Sequence, residues 1–329
     1  MTTTAPVTRR PREPRGRALR QAGRYALLPL RVLVLLPAMI MGRTLLRKRG
    51  AGTEPAVLVW NEADRLWGPP NTDIELSVIM PFYNPGAALA PTVARCHQQL
   101  TDAGVGFEII AVSDGSTDGS EKTLEGMPPE VKVIVLPANR GKGGALHAGF
   151  ARASGSWIGF VDSDGDIDPA HLVDYISVAR RGGYDIVFAN KKHGESESAS
   201  SPFRKLVSFG FSSIVGTLFS LGVNDTQTGC KVVRRDVMAS LLPRLRETRF
   251  AFDLELFVSA VTAGYTNLHA VPVRLGERMS GSTVTSSTIL RTLTDALSVL
   301  ARRHYTDVYS ATPEGAPLPS GEHPLTLAA

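Results

Sequence analysis

The sequence predicts an α/β domain with a mostly parallel β-sheet flanked by helices. Short apolar runs rich in valine and isoleucine alternate with longer segments whose apolar residues recur at helical spacing. Each short run is bounded by polar residues, glycine or proline, which is typical of buried strands. Polar, glycine-flanked clusters follow these runs, and parallel strands bring such ends to one edge of the sheet, where ligands bind.

The folded domain is assigned to residues 74–305, and its elements follow from the apolar patterns. The predicted strands are Leu76–Met80, Phe107–Val112, Val131–Leu136, Trp157–Val161 and Asp185–Ala189. Helical spacing of apolar residues predicts helices at Ala90–Leu100, Ala145–Ala153 and Ile289–Leu300.

The charge of the chain is divided unevenly. Residues 1–50 carry eleven arginines and one lysine against a single glutamate, so the remaining residues are net acidic although the whole chain has a formal charge of +5. A basic arm on an acidic body indicates contact with an anionic surface and argues against a nucleic-acid-binding domain. The two cysteines exclude a disulfide framework and favour a reducing compartment.

The ends of the chain are predicted to lie outside the domain. Residues 1–25 form a basic disordered arm, 26–50 a membrane-associating apolar helix, 51–73 a linker and 306–329 a disordered tail. The apolar run of residues 26–42 is at the short limit for a membrane span and contains Arg31. We favour a helix lying in the membrane interface, with a true span and a helix that packs on the domain as the alternatives.

Three carboxylates follow the fourth strand at a spacing of two residues. Asp162, Asp164 and Asp166 are expected to converge, since alternate residues of an extended segment point the same way. Because these carboxylates would repel one another and provide only oxygen ligands, they predict a site for Mg²⁺ or Mn²⁺. Such an ion usually also binds substrate phosphates. The alternative is a turn rich in aspartate.

Two further motifs indicate an anionic ligand. Lys142 stands in a Gly-Lys-Gly-Gly segment before a predicted helix, where amide donors and the helix dipole favour a phosphate, although these glycines can also serve helix–sheet packing. Asp114, after the second strand, is expected to accept hydrogen bonds from a base or a sugar, with helix capping as the alternative.

In order along the chain, these strand-end motifs resemble family 2 glycosyltransferases of the GT-A fold. They read SVIMPFYN, IAVSDGSTDGS, NRGKGGALHAG and FVDSDGDIDP. The later motifs DTQTGCK and FAFDLEL resemble the branch that contains dolichyl-phosphate mannose synthase and the bacterial polyprenyl-phosphate sugar transferases. The resemblance covers roughly residues 74–300. It departs from the family at Pro85, where Glu is common, and at Val284, close to a position where Lys is common.

The resemblance implies an inverting transfer of a hexose from a nucleotide diphosphate sugar to a polyprenyl phosphate, at the cytoplasmic face of the cell membrane. GDP-mannose is the first expected donor and UDP-glucose the second. Asp164, Arg278, Lys191 and Asp253 are the expected catalytic residues. The expected donor-binding residues are Pro81, Tyr83, Val112, Asp114, Lys142, Asp162, Ser163, Asp164 and Arg278.

The basic-flanked apolar segment Phe203–Leu221 is expected to help capture the lipid acceptor. Two alternatives remain open: a family 2 transferase with a glycan or another lipid as acceptor, and a catalytically silent membrane adaptor of the same fold. The roles of Asp225, Asp253 and Glu255 also remain open.

Overall fold

The computed structural model describes residues 28–49, 70–191, 218–219, 221, 223, 225–274 and 286–310. The predicted arm, most of the linker, Arg278 and most of the apolar segment at 203–221 lie outside the described residues.

A seven-stranded sheet forms the centre of the domain, in the order β3-β2-β1-β4-β6-β5-β7. β6 is antiparallel to both of its neighbours, whereas every other adjacent pair is parallel, which confirms the predicted, mostly parallel sheet. The strands are β1 Leu76–Phe82, β2 Phe107–Ser113, β3 Val131–Val135, β4 Trp157–Val161, β5 Ile186–Ala189, β6 Cys230–Arg234 and β7 Leu268–Val271.

Helices flank this sheet. The α-helices are α1 Leu28–Arg49, α2 Leu89–Asp102, α3 Lys142–Arg152, α4 His171–Gly182, α5 Arg235–Leu241, α6 Phe252–Thr262 and α7 Ser286–Tyr305. Short 3-10 helices occur at Gly86–Ala88, Ser120–Leu124 and Leu242–Arg244.

The central strands are buried on both faces, which explains why their sequences are largely apolar. All seven residues of β1 are buried. Ile79 belongs to one hydrophobic cluster together with Phe150 and Phe160, whereas Val78 and Met80 belong to the other. Successive side chains of a strand point to opposite faces, so each face of β1 contributes to a different core layer.

The two strands that the sequence pattern missed each contain a polar residue. β6 has Lys231 between Cys230 and Val232, and β7 has His269 in the middle of a four-residue strand. Only two consecutive apolar residues follow the polar residue in each strand, so neither segment matched the pattern of a buried strand.

The apolar N-terminal segment forms α1, which packs against α7. Ala38 is buried in a core cluster, and a Cβ added at Gly42 would lie 2.6 Å from the Leu297 carbonyl oxygen. The guanidinium of Arg43 lies over the ring of Tyr305, 5.5 Å from its centroid. Among the described residues, no helix carries an apolar stretch sufficient to cross a membrane.

The domain also continues beyond its predicted end at residue 305. Residues 308–310 form a turn, and Tyr309 is only 1% exposed within a core cluster. The first residues of the predicted tail are therefore part of the folded body.

Candidate active site

The carboxyl edge of the sheet carries most of the predicted site residues that the structure describes. Pro81 and Val112 are partners in the parallel β1–β2 ladder, and both are buried. Tyr83 follows β1 and remains 52% exposed, so its ring is available to a ligand at this edge. This arrangement is compatible with the predicted nucleoside pocket, which remains a prediction.

Asp114 connects the end of β2 to the Gly-Lys-Gly-Gly turn. Its two carboxylate oxygens accept hydrogen bonds from the backbone N–H groups of Arg140 and Gly141, at 2.7 and 2.8 Å. Burial raises the pKa of this carboxyl, while the two backbone donors oppose that rise. In this structure Asp114 therefore fixes the backbone just before Lys142.

The same turn requires glycine because another segment approaches it closely. Gly141 has a φ of +91°, and a Cβ there would lie 2.5 Å from the Thr248 carbonyl oxygen. The backbone N–H of Gly144 donates to that same oxygen at 2.9 Å. Residues 245–248, here called the strap, thus hold the start of α3 in place.

A row of alternating charges leads from the core to this edge. The Lys231 ammonium lies 2.6 Å from Asp253 Oδ1, Lys142 Nζ lies 3.3 Å from Asp253 Oδ2, and Lys142 Nζ lies 2.7 Å from Asp162 Oδ1. Burial by itself would lower the pKa of Lys142, but Asp162 and Asp253 raise it above its ordinary value. Lys142 is therefore a permanent cation between two carboxylates.

The expected catalytic role of Asp253 stays a prediction, and the environment of this residue gives it a structural role as well. Its side chain is only 3% exposed, and each carboxylate oxygen contacts a lysine. Asp253 therefore acts on the edge of the sheet through Lys142.

Asp162 packs closely against Gly229, which lies in the turn before β6. A Cβ added at Gly229 would lie 1.8 Å from Asp162 Oδ2, so a larger residue would displace the carboxylate. The Asp162 backbone N–H also donates to the Gly229 carbonyl at 3.1 Å. Burial raises the pKa of Asp162, and Asp164 raises it further, whereas Lys142 lowers it.

The three aspartates after β4 do not converge as the sequence predicted. Within the described ranges, no group of three His, Cys, Asp or Glu side chains is placed to hold a metal ion. The Asp162 carboxylate contacts the Lys142 ammonium. Asp164 Oδ1 accepts a hydrogen bond from the Asp166 backbone N–H at 3.1 Å, which closes the turn. The aspartate-rich turn that was weighed as an alternative therefore describes part of this segment.

The residues nevertheless fit a divalent ion that is shared with a phosphate ligand. Asp162 and Asp164 provide carboxylate oxygens at the edge of the sheet. The Lys142 ammonium already contacts Asp162, as a metal cation would. Mg²⁺ in proteins is commonly held by one or two carboxylates together with substrate phosphates. Asp166, the expected third ligand, is not grouped with these two carboxylates in the described part of the chain. Ser163, between the two aspartates, is buried.

Asp225 and Lys191 lie at the neighbouring strand ends. Asp225 accepts hydrogen bonds from the backbone N–H groups of Lys191, Gln227 and Thr228 and from the Thr228 hydroxyl. It therefore organises the turn that leads into β6. Lys191 is exposed at the end of β5, and its predicted contact with the donor remains a prediction.

Glu255 is fully buried one turn into α6 and holds the strap from behind. Its Oε2 accepts the backbone N–H groups of Arg246 and Glu247, both at 2.6 Å. Its Oε1 contacts Arg302 at 3.1 Å and accepts the hydroxyl of Tyr309. Glu255 thus has a structural role that links α6, α7 and the turn beside Lys142.

Sequence reasoning did not select Lys231 or Gly229 as site residues. The sequence does carry a signal for Lys231, because a lysine that stands between apolar residues of a buried strand requires a buried anion as partner. For Gly229 there is no such local signal, since the reason for the glycine is a carboxylate 67 positions earlier in the chain.

Sequence comparison identifies a protein family and several relatives to which this chain is similar. The sequence model described as glycosyl transferase family 2 matches residues 77–242, which is half of the chain. The chain is 30% identical over 207 residues to a dolichyl-phosphate beta-glucosyltransferase of Dictyostelium discoideum, covering 58% of this chain and 63% of that protein. It is 31% identical over 216 residues to the Homo sapiens protein of the same name, covering 59% and 65%. The chain thus spans less than two thirds of the length of these relatives.

Solved structures share the fold at low sequence identity. The Mycobacterium tuberculosis glucosyl-3-phosphoglycerate synthase has a TM-score of 0.54 at 18% identity, covering 71% of this chain and 81% of that one. The same enzyme solved with Mn²⁺ and UDP-glucose also has a TM-score of 0.54 at 18% identity, covering 76% and 85%. These similarities confirm the expected GT-A fold.

Proposed function

Because the chain belongs to glycosyl transferase family 2, we propose that it transfers a hexose from a nucleotide diphosphate sugar to a polyprenyl phosphate. The observation that carries this proposal is the meeting of Asp162, Lys142 and the turn held by Asp114 at one edge of the sheet. These groups form a site that combines carboxylates for a cation with an ammonium for an anion.

Glucose is the sugar we propose, in place of the mannose that the sequence motifs favoured. The support is that both relatives described above are named beta-glucosyltransferases that act on dolichyl phosphate. We therefore place UDP-glucose before GDP-mannose as the donor.

The chemistry requires positioning more than proton transfer. A lipid phosphate is already ionised near neutral pH, so it can attack the anomeric carbon without a strong general base. The main barrier is the negative charge that develops on the leaving diphosphate, which fixed cations stabilise. Lys142 supplies one such cation, and Arg278 is proposed as another.

Mg²⁺ or Mn²⁺ bound at Asp162 and Asp164 would act as a Lewis acid on the diphosphate. This proposal rests on the carboxylates of this chain and on the cation that already contacts one of them.

The direct test is a donor screen with purified protein, polyprenyl phosphate and Mg²⁺ or Mn²⁺. Radiolabelled UDP-glucose or GDP-mannose is supplied separately, and label in the organic phase is counted. We expect transfer from UDP-glucose that requires the metal and falls at least a hundredfold in Asp164→Ala. Transfer from GDP-mannose alone would refute the proposed sugar. Absence of transfer from both donors would favour one of the two alternatives, a transferase with another acceptor or a catalytically silent adaptor.

We also propose that the protein works at the cytoplasmic face of the membrane, with α1 lying on the lipid surface. Ile40 and Met41 are 59% and 53% exposed on this helix, and the basic residues Arg43 and Arg47 are close to them in sequence. Exposed apolar side chains beside cations suit an anionic interface.

Sedimentation with anionic vesicles tests this placement. Ile40→Ser/Met41→Ser should reduce the pelleted fraction severalfold, whereas the distant exposed pair Val133→Ser/Val135→Ser should not. Equal pelleting of the first variant and the unaltered chain would contradict the role given to α1.

A further inference from the structure

The charge row ends at a carboxylate that has two competing uses. Asp162 contacts the Lys142 ammonium in this structure, and the proposed function also assigns Asp162 to a divalent ion. One carboxylate oxygen does not serve both cations equally well, because two cations close to it repel each other.

Burial decreases steadily along the row. The side chains of Lys231 and Asp253 are 1% and 3% exposed, that of Lys142 is 14% exposed, and that of Asp162 is 32% exposed. Ion pairs are screened by solvent near the surface and much less in the interior. The Lys142–Asp162 contact is therefore the one that can exchange, while the inner pair stays fixed.

The inner end of the row is held by several contacts. Lys231 Nζ donates to Asp253 Oδ1 at 2.6 Å and to the Thr228 carbonyl at 2.7 Å. It also lies 5.0 and 5.7 Å from the ring centroids of Phe160 and Phe257. Lys231 thereby compensates one oxygen of Asp253 and leaves the other, at 3.3 Å, as a tether for Lys142.

We infer that Lys142 is an exchangeable counter-cation that occupies Asp162 before a divalent ion binds and contacts the donor diphosphate afterwards. Asp253 keeps the ammonium at the edge of the sheet during the exchange, and Lys231 is the positioning residue that keeps Asp253 in place. This inference rests on the proposed function, since it takes Asp162 as a metal ligand.

The test is a titration of the protein with Mn²⁺ in the absence of nucleotide, followed by electron paramagnetic resonance of the free ion. Lys142→Met removes the competing cation and should tighten Mn²⁺ binding by about tenfold, which corresponds to about 1.4 kcal/mol. Lys122→Met, at an exposed position of the 3-10 helix Ser120–Leu124, is the matched control and should leave the Mn²⁺ affinity unchanged. In the presence of Mn²⁺, UDP should bind Lys142→Met at least tenfold more weakly.

A second variant separates exchange from a general effect of charge. Lys231→Met/Asp253→Asn removes one charge of each sign and leaves Lys142 with Asp162 as its remaining carboxylate in the row. Lys142 should then hold Asp162 more tightly and weaken Mn²⁺ binding severalfold, although the net charge is unchanged. Lys142→Arg provides the same test at the edge without altering the buried pair, because an arginine fork binds a carboxylate at two points.

The outcomes separate clearly. Tighter binding in Lys142→Met together with weaker binding in Lys142→Arg or in the neutral double variant supports the exchange. Unchanged Mn²⁺ affinity in Lys142→Met overturns it, as does the lack of Mn²⁺ binding in both this variant and the unaltered chain. The titration contains no sugar and no acceptor, so failed lipid glycosylation with these opposite shifts intact would reject the proposed acceptor and leave the exchange standing.

Discussion

At the scale of single residues, the site depends on close approaches between segments that are distant in sequence. Gly229 leaves room for the Asp162 carboxylate, and Gly141 leaves room for the Thr248 carbonyl. Lys231 is a buried cation whose anion, Asp253, comes from α6. Local patterns identify the residue types, but the partners become visible only in the folded chain.

Gly229→Ala should displace the Asp162 carboxylate, since the new Cβ would lie 1.8 Å from Asp162 Oδ2. The obstacle is the end of a side chain, so we expect the free energy of unfolding to change by less than about 1 kcal/mol. Mn²⁺ affinity should fall by about tenfold or more. Adding Gly229→Ala to Asp162→Ala should have little further effect on Mn²⁺ affinity, because both act through one carboxylate. Additive losses would contradict this account.

His147 should make the protein sensitive to acid. Burial lowers the pKa of this imidazole from 6.5 to about 4, while Glu255 raises it and Arg246 lowers it further. Between these pH values the unfolded chain binds the proton more readily than the folded chain, so the free energy of unfolding falls as pH falls. The contribution of His147 is fully present above pH 6.5 and is largely lost near pH 4.

The variant His147→Phe isolates this contribution. Chemical denaturation at pH 7 and pH 4.5 should show a loss of stability that is smaller by roughly 2 kcal/mol in the variant than in the unaltered chain. Other titrating groups are common to both proteins and cancel in the comparison. An equal loss in both proteins would show that His147 does not titrate in this way.

At the scale of elements, the first turn of α6 connects the core to the site. Asp253 pairs with two lysines. Glu255, two residues later, accepts hydrogen bonds from the strap amides and also contacts Arg302 and Tyr309. Acidic residues in a first helical turn are also favoured by the helix dipole. The structure gives both carboxylates specific cationic or amide partners in addition.

The contact between α1 and α7 provides a test at this scale. Gly42→Leu would force the helices apart, because even a Cβ at this position lies 2.6 Å from a backbone oxygen. We expect a loss of roughly 1–3 kcal/mol in the free energy of unfolding and faster amide exchange along α7. Met41→Leu, at an exposed position of the same helix, is the matched control and should change stability little. Unchanged amide exchange in Gly42→Leu would show that α1 does not pack tightly there.

The same scale shows how far sequence patterns determine the fold. β1 to β5 were predicted to within two residues at either end, because each contains at least three consecutive apolar residues when glycine is counted with them. β6 and β7 were missed because Lys231 and His269 leave only two consecutive apolar residues in each strand. The predicted convergence of Asp162, Asp164 and Asp166 was not found, since a spacing of two predicts a shared direction only where the chain remains extended, and here it turns.

At the scale of the whole molecule, the parallel arrangement of the sheet brings the ends of β1, β2 and β4 to one edge. The motifs that follow these strands are separated in sequence but adjacent in space, which is why their position in the sequence was informative about the site. The identity of the acceptor is not set by this edge alone, because proteins of the same fold include one that makes glucosyl-3-phosphoglycerate.

The central claim is therefore tested most directly by a competition between acceptors. Purified protein receives radiolabelled UDP-glucose, Mn²⁺ and equal concentrations of polyprenyl phosphate and 3-phosphoglycerate, and label is counted in the organic and aqueous products. We predict that the label enters the lipid phosphate and that Asp164→Asn abolishes this transfer. Label in glucosyl-3-phosphoglycerate, with none in the lipid, would contradict the claim that the site serves a polyprenyl phosphate.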